Sequence, residues 1–354
     1  MRVVVTGATG NVGTSVLAAL RDEPQVDEIV ALARRPATFE DPRVRSVAAD
    51  VSRDDLTEAL HGADAVIHLA WLIQPSRDET TTRATNVDGS ARVFAAAARA
   101  GVGAIVYASS VGAYSRGPKD RLVDESWPTD GIPTLFYSRH KAEVERLLDR
   151  FERDQPQTRV VRLRPGLIFK REAATGIRRL FAGPLLPSPL VRRELIPVVP
   201  GIPRLRFQAV HSLDVGDAYR RALLTDDARG AFNIAAEPVL DPDRLADALG
   251  ARRVPIRGGV LRAAADLSWK LRLQPSPPGW IDLALGVPLM DVGRAHALLG
   301  WHATVTADDA LLELLDGIRD SADHPTPPLA ASTSGPLRSA ELATGIGRRD
   351  PAAR

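Results

Sequence analysis

From the first residue to about Arg164, short and densely apolar runs alternate with longer stretches in which apolar residues recur every three or four positions. The short runs are rich in β-branched residues and bounded by turn formers, so they read as strands; the longer ones carry the helical period. On this basis strands are predicted at Arg2–Thr6, Glu28–Ala33, Val44–Ala48, Ala65–Leu69, Ala104–Ala108 and Arg159–Arg164. Helices are predicted at Val12–Arg21, Arg53–Leu60, Thr80–Ala100 and Phe136–Phe151. Regular alternation of the two argues for an α/β fold: a doubly wound parallel sheet with helices on both faces.

The character changes after Arg164. The stretch "FAGPLLPSPLVRRELIPVVPGIPRLRF" (Phe181–Phe207) holds too many prolines for a central strand or a helix interior, and reads as a smaller, loop-rich lobe laid over the sheet. Order returns in "LDVGDAYRRALL", where Asp214 reads as a helix start, in the strand "GAFNIAA", and in "DVGRAHALLGW", a helix stopped at Gly300. Residues 1–165 are thus expected to form one domain and 166–320 a C-terminal substrate lobe with some segments returning to the first. From Ser321 the chain is rich in Pro, Ser and Ala without apolar periodicity, and 321–354 is expected to be a disordered tail.

Composition narrows the function classes. The chain has no cysteine, which removes disulfides, thiol nucleophiles and thiolate metal sites together and is compatible with a reducing cytoplasm. Its seven histidines show no metal-ligand spacing, so no metal is expected. No apolar run approaches the roughly 18 residues of a spanning helix, and a soluble protein without a membrane partner is expected. A formal charge of +2 leaves no electrostatic footprint for nucleic acid. Only four of the 46 basic residues are lysines, at positions 119, 141, 170 and 270.

That scarcity sharpens the stretch "YSRHK". Tyr137 and Lys141 stand four apart, on one face of the predicted helix. A free phenol titrates near 10, too high for a base at neutral pH. An ammonium about 4 Å away contributes roughly 4 kcal/mol at an effective dielectric near 20, or about three pKa units, which brings Tyr137 to about 7, where acid–base catalysis is efficient. An arginine would keep the charge but lose the compact ammonium that reaches a ribose hydroxyl and a phenol.

The first turn, "TGATGNVG" (Thr6–Gly13), joins a strand to a helix N-terminus, where unpaired N–H groups and the helix dipole favour an anion. Gly7 permits the sharp turn, Gly10 lets the backbone approach a pyrophosphate, and Gly13 lets helix and strand pack closely. An ordinary βα turn fits the bare pattern equally well.

Taken together with "AIVYASSVGAYS" (Ala104–Ser115) and "TNVDGSARV" (Thr85–Val93), these motifs resemble the extended branch of the short-chain dehydrogenase/reductases, the NAD-dependent epimerase/dehydratase family, over Met1 to about Ile318. The resemblance implies a Rossmann-type fold and a nicotinamide dinucleotide. It also implies a catalytic group of Ser110, Tyr137 and Lys141, with Asn86 positioning the helix and nicotinamide site. From the residues alone, Ser109 and Ser110 equally suit hydrogen bonds within their own loop. Cofactor contacts are expected from Gly7, Thr9, Gly10, Asn11, Val12, Gly13, Arg34, Arg35, Asp50, Val51, Leu69, Ala70, Asn86, Tyr137, Lys141 and Pro165. Two departures stand out: Ser115, where the family commonly has glycine, and Val111–Gly112, where dehydratases carry an Asp-Glu pair.

The second strand ends in "ALARRP". Ala33 occupies the place of the acid that takes the ribose 2′-hydroxyl in NAD-binding folds, with Arg34 and Arg35 beside it, so NADP is favoured and NAD is the alternative. Asp50 either contacts adenine or caps the helix predicted from Arg53. Trp71 and Gln74 are expected to overhang the nicotinamide, where Trp71 contacts substrate or packs the loop. His211 is expected to order the junction with the second lobe. The arginine that clamps a diphosphate in sugar-nucleotide relatives falls at Phe207, with Arg206 displaced by one; Arg178, Arg179, Arg192 and Arg193 are the other candidates, or are solvated surface charge. The expected activity is hydride transfer between nicotinamide and a carbonyl or carbinol carbon of a small molecule. A sugar-nucleotide epimerase with retained NAD is the alternative, and a dinucleotide-binding regulator without chemistry a second. Relatives dimerise through helices corresponding to Thr80–Ala100 and Phe136–Phe151, and the sequence permits a homodimer of that kind.

Overall fold

The computed structural model describes residues 1–73, 79–181, 196–274 and 276–330. Seven strands form one all-parallel sheet: β1 (Arg2–Thr6), β2 (Glu28–Ala33), β3 (Val44–Ala48), β4 (Ala65–His68), β5 (Ala104–Ala108), β6 (Arg159–Pro165) and β7 (Gly230–Ile234). Their spatial order is β7-β6-β5-β4-β1-β2-β3. The winding reverses between β1 and β4, which opens a crevice at the carboxyl ends of those strands, the usual ligand position in a doubly wound sheet.

Strand residues alternate between two cores. Val3, Val5, Ile29, Ala31, Ile67 and Val106 face one layer, with α1 (Asn11–Leu20) and, later in the chain, the helix Ser212–Leu224. Val4, Val30, Leu32, Val66 and Ile105 face the other, covered by α2 (Gly89–Ala100) and α3 (Phe136–Asp154). Burial on both faces explains why these strands are apolar runs and not alternating patterns. The edge strand β3, half-exposed, is the exception.

The predicted strands up to Arg164 match the observed ones to within one residue at each end, and "GAFNIAA" stops two residues early, at Ile234. Two helices differ. The one expected from Arg53 begins only at Thr57, because the Asp50 carboxylate accepts from the Ser52 N–H and hydroxyl and the Asp54 carboxylate accepts from the Asp50 N–H, which holds residues 50–54 in turns. The helix expected over Thr80–Ala100 is three pieces: Glu79–Arg83, a π-helical turn at Ala84–Asp88, and α2. The π-turn carries Asn86, and such turns commonly mark functional positions.

Beyond β6 the chain forms short parallel pairs, Leu167–Phe169 with Ala209–His211 and Val198–Pro200 with Arg252–Val254, before and after β7 joins the sheet edge. The helix Ser212–Leu224, here α4, packs on α1 so closely that a Cβ at Gly216 would lie 2.4 Å from the Ser15 carbonyl oxygen. Asp214 does not start this helix. His211 caps it by accepting from the Leu213 N–H, and the Asp214 carboxylate instead accepts from Thr304 Oγ1 and the Val305 N–H, tying α4 to the 301–305 loop. His211 also meets Glu313 at 3.3 Å, which joins α4 to the last helix, Ala307–Arg319. Residues 321–330, at the start of the segment expected to be disordered, form turns in which Thr326 and Leu329 are buried. The rest of that tail lies outside the described residues. No helix among the described residues is long and apolar enough to cross a membrane.

Candidate active site

The glycine turn closes against the end of β4. Gly7 has φ +70°, and a Cβ there would fall 2.8 Å from the Ala70 N. A Cβ at Gly13 would fall 2.4 Å from the Gly7 carbonyl oxygen, so the first turn of α1 presses on the loop as the spacing predicts. Gly10 is the N-cap of α1 and supplies no side-chain acceptor, and the first turn holds no acid. The N–H groups that open α1 therefore meet no side chain, the condition for an anion site. Beside them the buried Asn11 Oδ1 has no hydrogen-bond partner. The open N–H groups fit a dinucleotide pyrophosphate; the Asn11 amide oxygen, an acceptor, does not bond one.

At the end of β2, Arg34 is exposed and Arg35 half-buried, with Ala33 buried between strand and loop. The Asp50 carboxylate accepts from Ser52 within a turn and caps no helix, since the helix expected from Arg53 starts only at Thr57. Burial works to raise its pKa, but the Ser52 bonds and the charges of Arg34 and Arg53 hold it below the usual carboxylate value. Val51 beside it is buried.

The loop after β4 is held from two sides. Thr6 Oγ1 accepts from the Leu69 and Ala70 N–H groups at 3.2 Å each, and Asn86 clasps Leu72 by accepting from its N–H at 2.7 Å and donating to its carbonyl at 2.9 Å. Between the clamps, His68 Nδ1 meets Thr6 Oγ1 at 2.7 Å and His68 Nε2 meets Ser90 Oγ at 2.9 Å, while Ser90 Oγ donates to the Asn86 carbonyl. Ser90 spends its one proton on Asn86, so His68 must donate from Nε2 and accept at Nδ1 from Thr6. Burial lowers the His68 pKa to about 3, with the Lys141 charge acting in the same direction, so this ring is neutral.

After β5, Ser110 Oγ accepts from the Gly112 N–H at 3.0 Å and caps the turn Val111–Ala113. It also lies against Tyr137, whose phenol it hydrogen-bonds. The loop reading of Ser110 is met by its bond to Gly112. A Cβ at Gly112 would fall 2.8 Å from Tyr137 Cε1, so this glycine seats the ring. Ser115 keeps its loop by exchanging hydrogen bonds with Asp130.

Tyr137 and Lys141 do share a face of α3, and Trp71 stands on it. The Lys141 ammonium sits 3.4 Å from the centroid of the Trp71 ring, and the Tyr137 ring meets Trp71 edge-on at 6.0 Å. Trp280 packs on the other side of Tyr137 at 5.4 Å. The expected pKa of about 7 is not what this geometry gives. Lys141 Nζ donates to the Ala108 carbonyl and lies 5.8 Å from the centroid of the Tyr137 ring. Burial dominates: it pushes the phenol up to about 12 against the Ser110 hydrogen bond, and the Lys141 ammonium well below its usual value against the charge of Glu145. Both groups are driven toward their neutral forms.

Behind this face lies a buried ion cluster that sequence reasoning missed. The Glu145 carboxylate accepts from Arg164 Nε at 2.8 Å and Nη2 at 3.0 Å, from Arg162 at 3.0 Å and from Ser109 Oγ at 2.5 Å. Arg164 continues to the Tyr114 hydroxyl, which donates to Asn233 Oδ1 on β7. Ser109 is thereby fixed next to Ser110, and α3 is tied to β6. The signal was present in the sequence: arginines at alternate positions of a strand as apolar as "RVVRLRP" demand buried acids, and Glu145 stands one turn beyond Lys141.

Of the remaining candidates, Pro165 ends β6. Arg206 donates to the Lys119 carbonyl while Lys119 Nζ donates to the Arg206 carbonyl, both at 2.6 Å, so Arg206 is occupied by a clamp between loops. Phe207 pairs through its backbone with Leu240. Arg178 is buried in the helix Ala174–Phe181. Gln74, Arg192, Arg193 and the side chain of Arg179 lie outside the described residues.

A sequence profile of the NAD dependent epimerase/dehydratase family matches residues 3–235. An uncharacterised protein of Mycobacterium tuberculosis is 30% identical over 321 residues, which are 90% of this chain but 30% of that protein, so the chain spans under a third of the relative's length. A ketoreductase of Stigmatella aurantiaca, acting on 4-hydroxy-2-methyl-3-oxo-4-farnesyl-3,4-dihydroquinoline-1-oxide, is 29% identical over 182 residues, 48% of this chain and 51% of that protein. The structure of UDP-glucuronic acid 4-epimerase from Bacillus cereus, in complex with UDP-glucuronic acid and NAD, is similar in fold, with a TM-score of 0.66 over 91% of this chain and all of that one at 18% identity. With the profile spanning well over half of its length, the chain belongs to the NAD dependent epimerase/dehydratase family.

Proposed function

We propose that this protein is an oxidoreductase that moves a hydride between a nicotinamide dinucleotide and a carbonyl or carbinol carbon of a small molecule, with NADP favoured. The single observation that carries the reading is the shared face of Tyr137, Lys141 and Trp71 beside Ser110 at the carboxyl edge of the sheet. The dinucleotide, when bound, supplies or accepts the hydride. Gly7, Thr9, Gly10, Asn11, Val12 and Gly13 form the turn that would hold its pyrophosphate. Leu69 and Ala70 follow β4 and Pro165 ends β6, two strands away at the same sheet edge, and Asp50 with Val51 lies beyond β3 on the adenine side. Arg34 and Arg35 stand where a 2′-phosphate would be met by guanidinium and repelled by the usual carboxylate.

Tyr137, held in its neutral form by burial, is a proton donor at neutral pH and suits the direction in which a carbonyl is reduced. Ser110 stabilises the charge developing on the carbonyl oxygen. Lys141 supports the phenolate left behind, and Asn86 fixes the overhanging loop through Leu72. NADPH consumption measured over a panel of aldehydes and ketones tests the reading. Turnover with one of them that Lys141→Met abolishes supports it, and retention of turnover in that variant refutes it.

The family and its solved members that hold NAD keep a second reading open, a sugar-nucleotide epimerase. Against it stands Phe207 in the place of the diphosphate arginine, with Arg206 beside it donating from Nη1 to the Lys119 carbonyl. NAD retained through purification without net consumption favours the epimerase. We also propose a homodimer through the outer faces of residues 79–100 and α3. Between them lies a groove of about 700 Å³ whose walls are bridged by the ion pairs Arg83–Glu143 and Arg139–Glu79.

A further inference from the structure

The helix Gly258–Lys270, here α5, has no buried residue. Of nine large hydrophobic residues that stand exposed among the described residues, five fall in one segment: Val254, Val260, Leu267, Leu271 and Leu273. Val260, Ala263, Ala264, Leu267 and Leu271 recur at three- and four-residue spacing, so they line a single stripe, and it faces away from the protein. A contiguous exposed stripe of this kind marks an interaction surface.

Charge identifies the partner. Residues 252–272 hold six basic side chains, Arg252, Arg253, Arg257, Arg262, Lys270 and Arg272, against one acid, Asp266. The segment therefore carries +5 in a chain whose total is +2. Arg262 is neutralised by Asp282, Arg253 by Asp243 and Lys270 by Asp266, whereas Arg252, Arg257 and Arg272 have no carboxylate partner among the described residues. Arg272 adopts φ +58°, and the Leu273 N–H returns to the Ser268 carbonyl, closing the helix with a cap that normally takes glycine. The hook leaves Leu271 and Leu273 exposed on either side of that arginine.

We propose that α5 and its hook dock on an anionic lipid bilayer, with the leucine stripe entering the headgroup boundary and the flanking arginines meeting the lipid phosphates. The expectation of no membrane partner rested on the lack of a spanning run, which a helix lying on the surface does not need. Docking has a consequence for the candidate site. α5 packs on the helix Gly279–Gly286, whose Trp280 covers Tyr137, so the bilayer would lie next to the substrate side.

Co-sedimentation of the full chain with vesicles tests this without any substrate, and so separately from the proposed activity. Vesicles of equimolar phosphatidylcholine and phosphatidylglycerol are compared with phosphatidylcholine alone. Three unpaired cations, each adding about fivefold, predict binding to the anionic vesicles that is roughly a hundredfold tighter and weakens as salt rises. Leu267→Ser with Leu271→Ser must abolish binding, while unfolding at the wild-type temperature, since both sites are exposed. Arg257→Gln with Arg272→Gln must cut the preference for anionic lipid from about a hundredfold to about fivefold, the share left to Arg252. The proposal is overturned if the wild type stays in the supernatant with both vesicles, if the serine variant still sediments, or if the stripe serves instead to join two copies, seen as a dimer that the serine variant dissociates.

Discussion

Replacing Glu145 by glutamine is the sharpest test of the packing behind the site, because its size can be worked out beforehand. The carboxylate is 1% exposed and faces Arg162 and Arg164. Burial alone would raise its pKa; the Arg164 hydrogen bonds, the two guanidinium charges and the Ser109 hydroxyl hold it at about 2. A fall from the usual 4.5 to about 2, at about 1.4 kcal/mol per pH unit, is worth roughly 3 kcal/mol of stability. Leaving one partner of a buried ion pair uncompensated typically costs about 3–5 kcal/mol, which agrees. The sign follows from the depressed folded-state value: the contribution is complete above pH 4.5 and is lost as pH falls through about 2. Urea unfolding of wild type and Glu145→Gln should therefore differ by roughly 3 kcal/mol at neutral pH, and by half of that or less near pH 3. An unchanged midpoint at neutral pH, or a difference that does not shrink in acid, would refute the reasoning.

Three further outcomes follow from the same geometry. Gly112→Ala places a methyl group 2.8 Å from Tyr137 Cε1, so turnover should fall by roughly tenfold or more through misplacement of the phenol while dinucleotide affinity stays near wild type; equal losses in both would show a general collapse. Arg34→Ala with Arg35→Ala should weaken NADPH by about tenfold or more, as charge-assisted hydrogen bonds to a phosphate are lost, and leave NADH unchanged; titration of each nucleotide checks it, and tighter NADH binding by the wild type would overturn the choice of cofactor. His68, held neutral by burial down to about 3, should keep its Nε2–H tautomer from neutral pH to pH about 5, visible in two-bond ¹H–¹⁵N spectra; a titration step near the ordinary histidine value would break the Thr6–His68–Ser90 chain.

Much of this arrangement was legible in the sequence because it rests on local rules. Strand ends could be read from apolar density, and the roles of Gly7 and Gly13 from the order strand, turn, helix. The face shared by Tyr137 and Lys141 follows from helical spacing alone. What escaped depends on contacts distant along the chain. The π-turn at Ala84–Asp88 has no propensity signature and is held by Asn86 gripping Leu72. Asp214 looked like a cap, but its acceptors are taken by residues ninety positions onward, so His211 caps instead. The phenol pKa was misjudged for a similar reason: four residues of helix fix which side Lys141 lies on, not that Trp71 and the Ala108 carbonyl engage its ammonium, nor that burial opposes charge on both groups.

Removal of the Tyr137 hydroxyl tests the central claim most directly. With the first carbonyl compound found to consume NADPH, Tyr137→Phe should bind NADPH within about twofold of wild type, yet turn over at least roughly a thousandfold more slowly, the range expected for losing a positioned proton donor. Turnover in the phenylalanine variant close to that of the wild type would contradict the account.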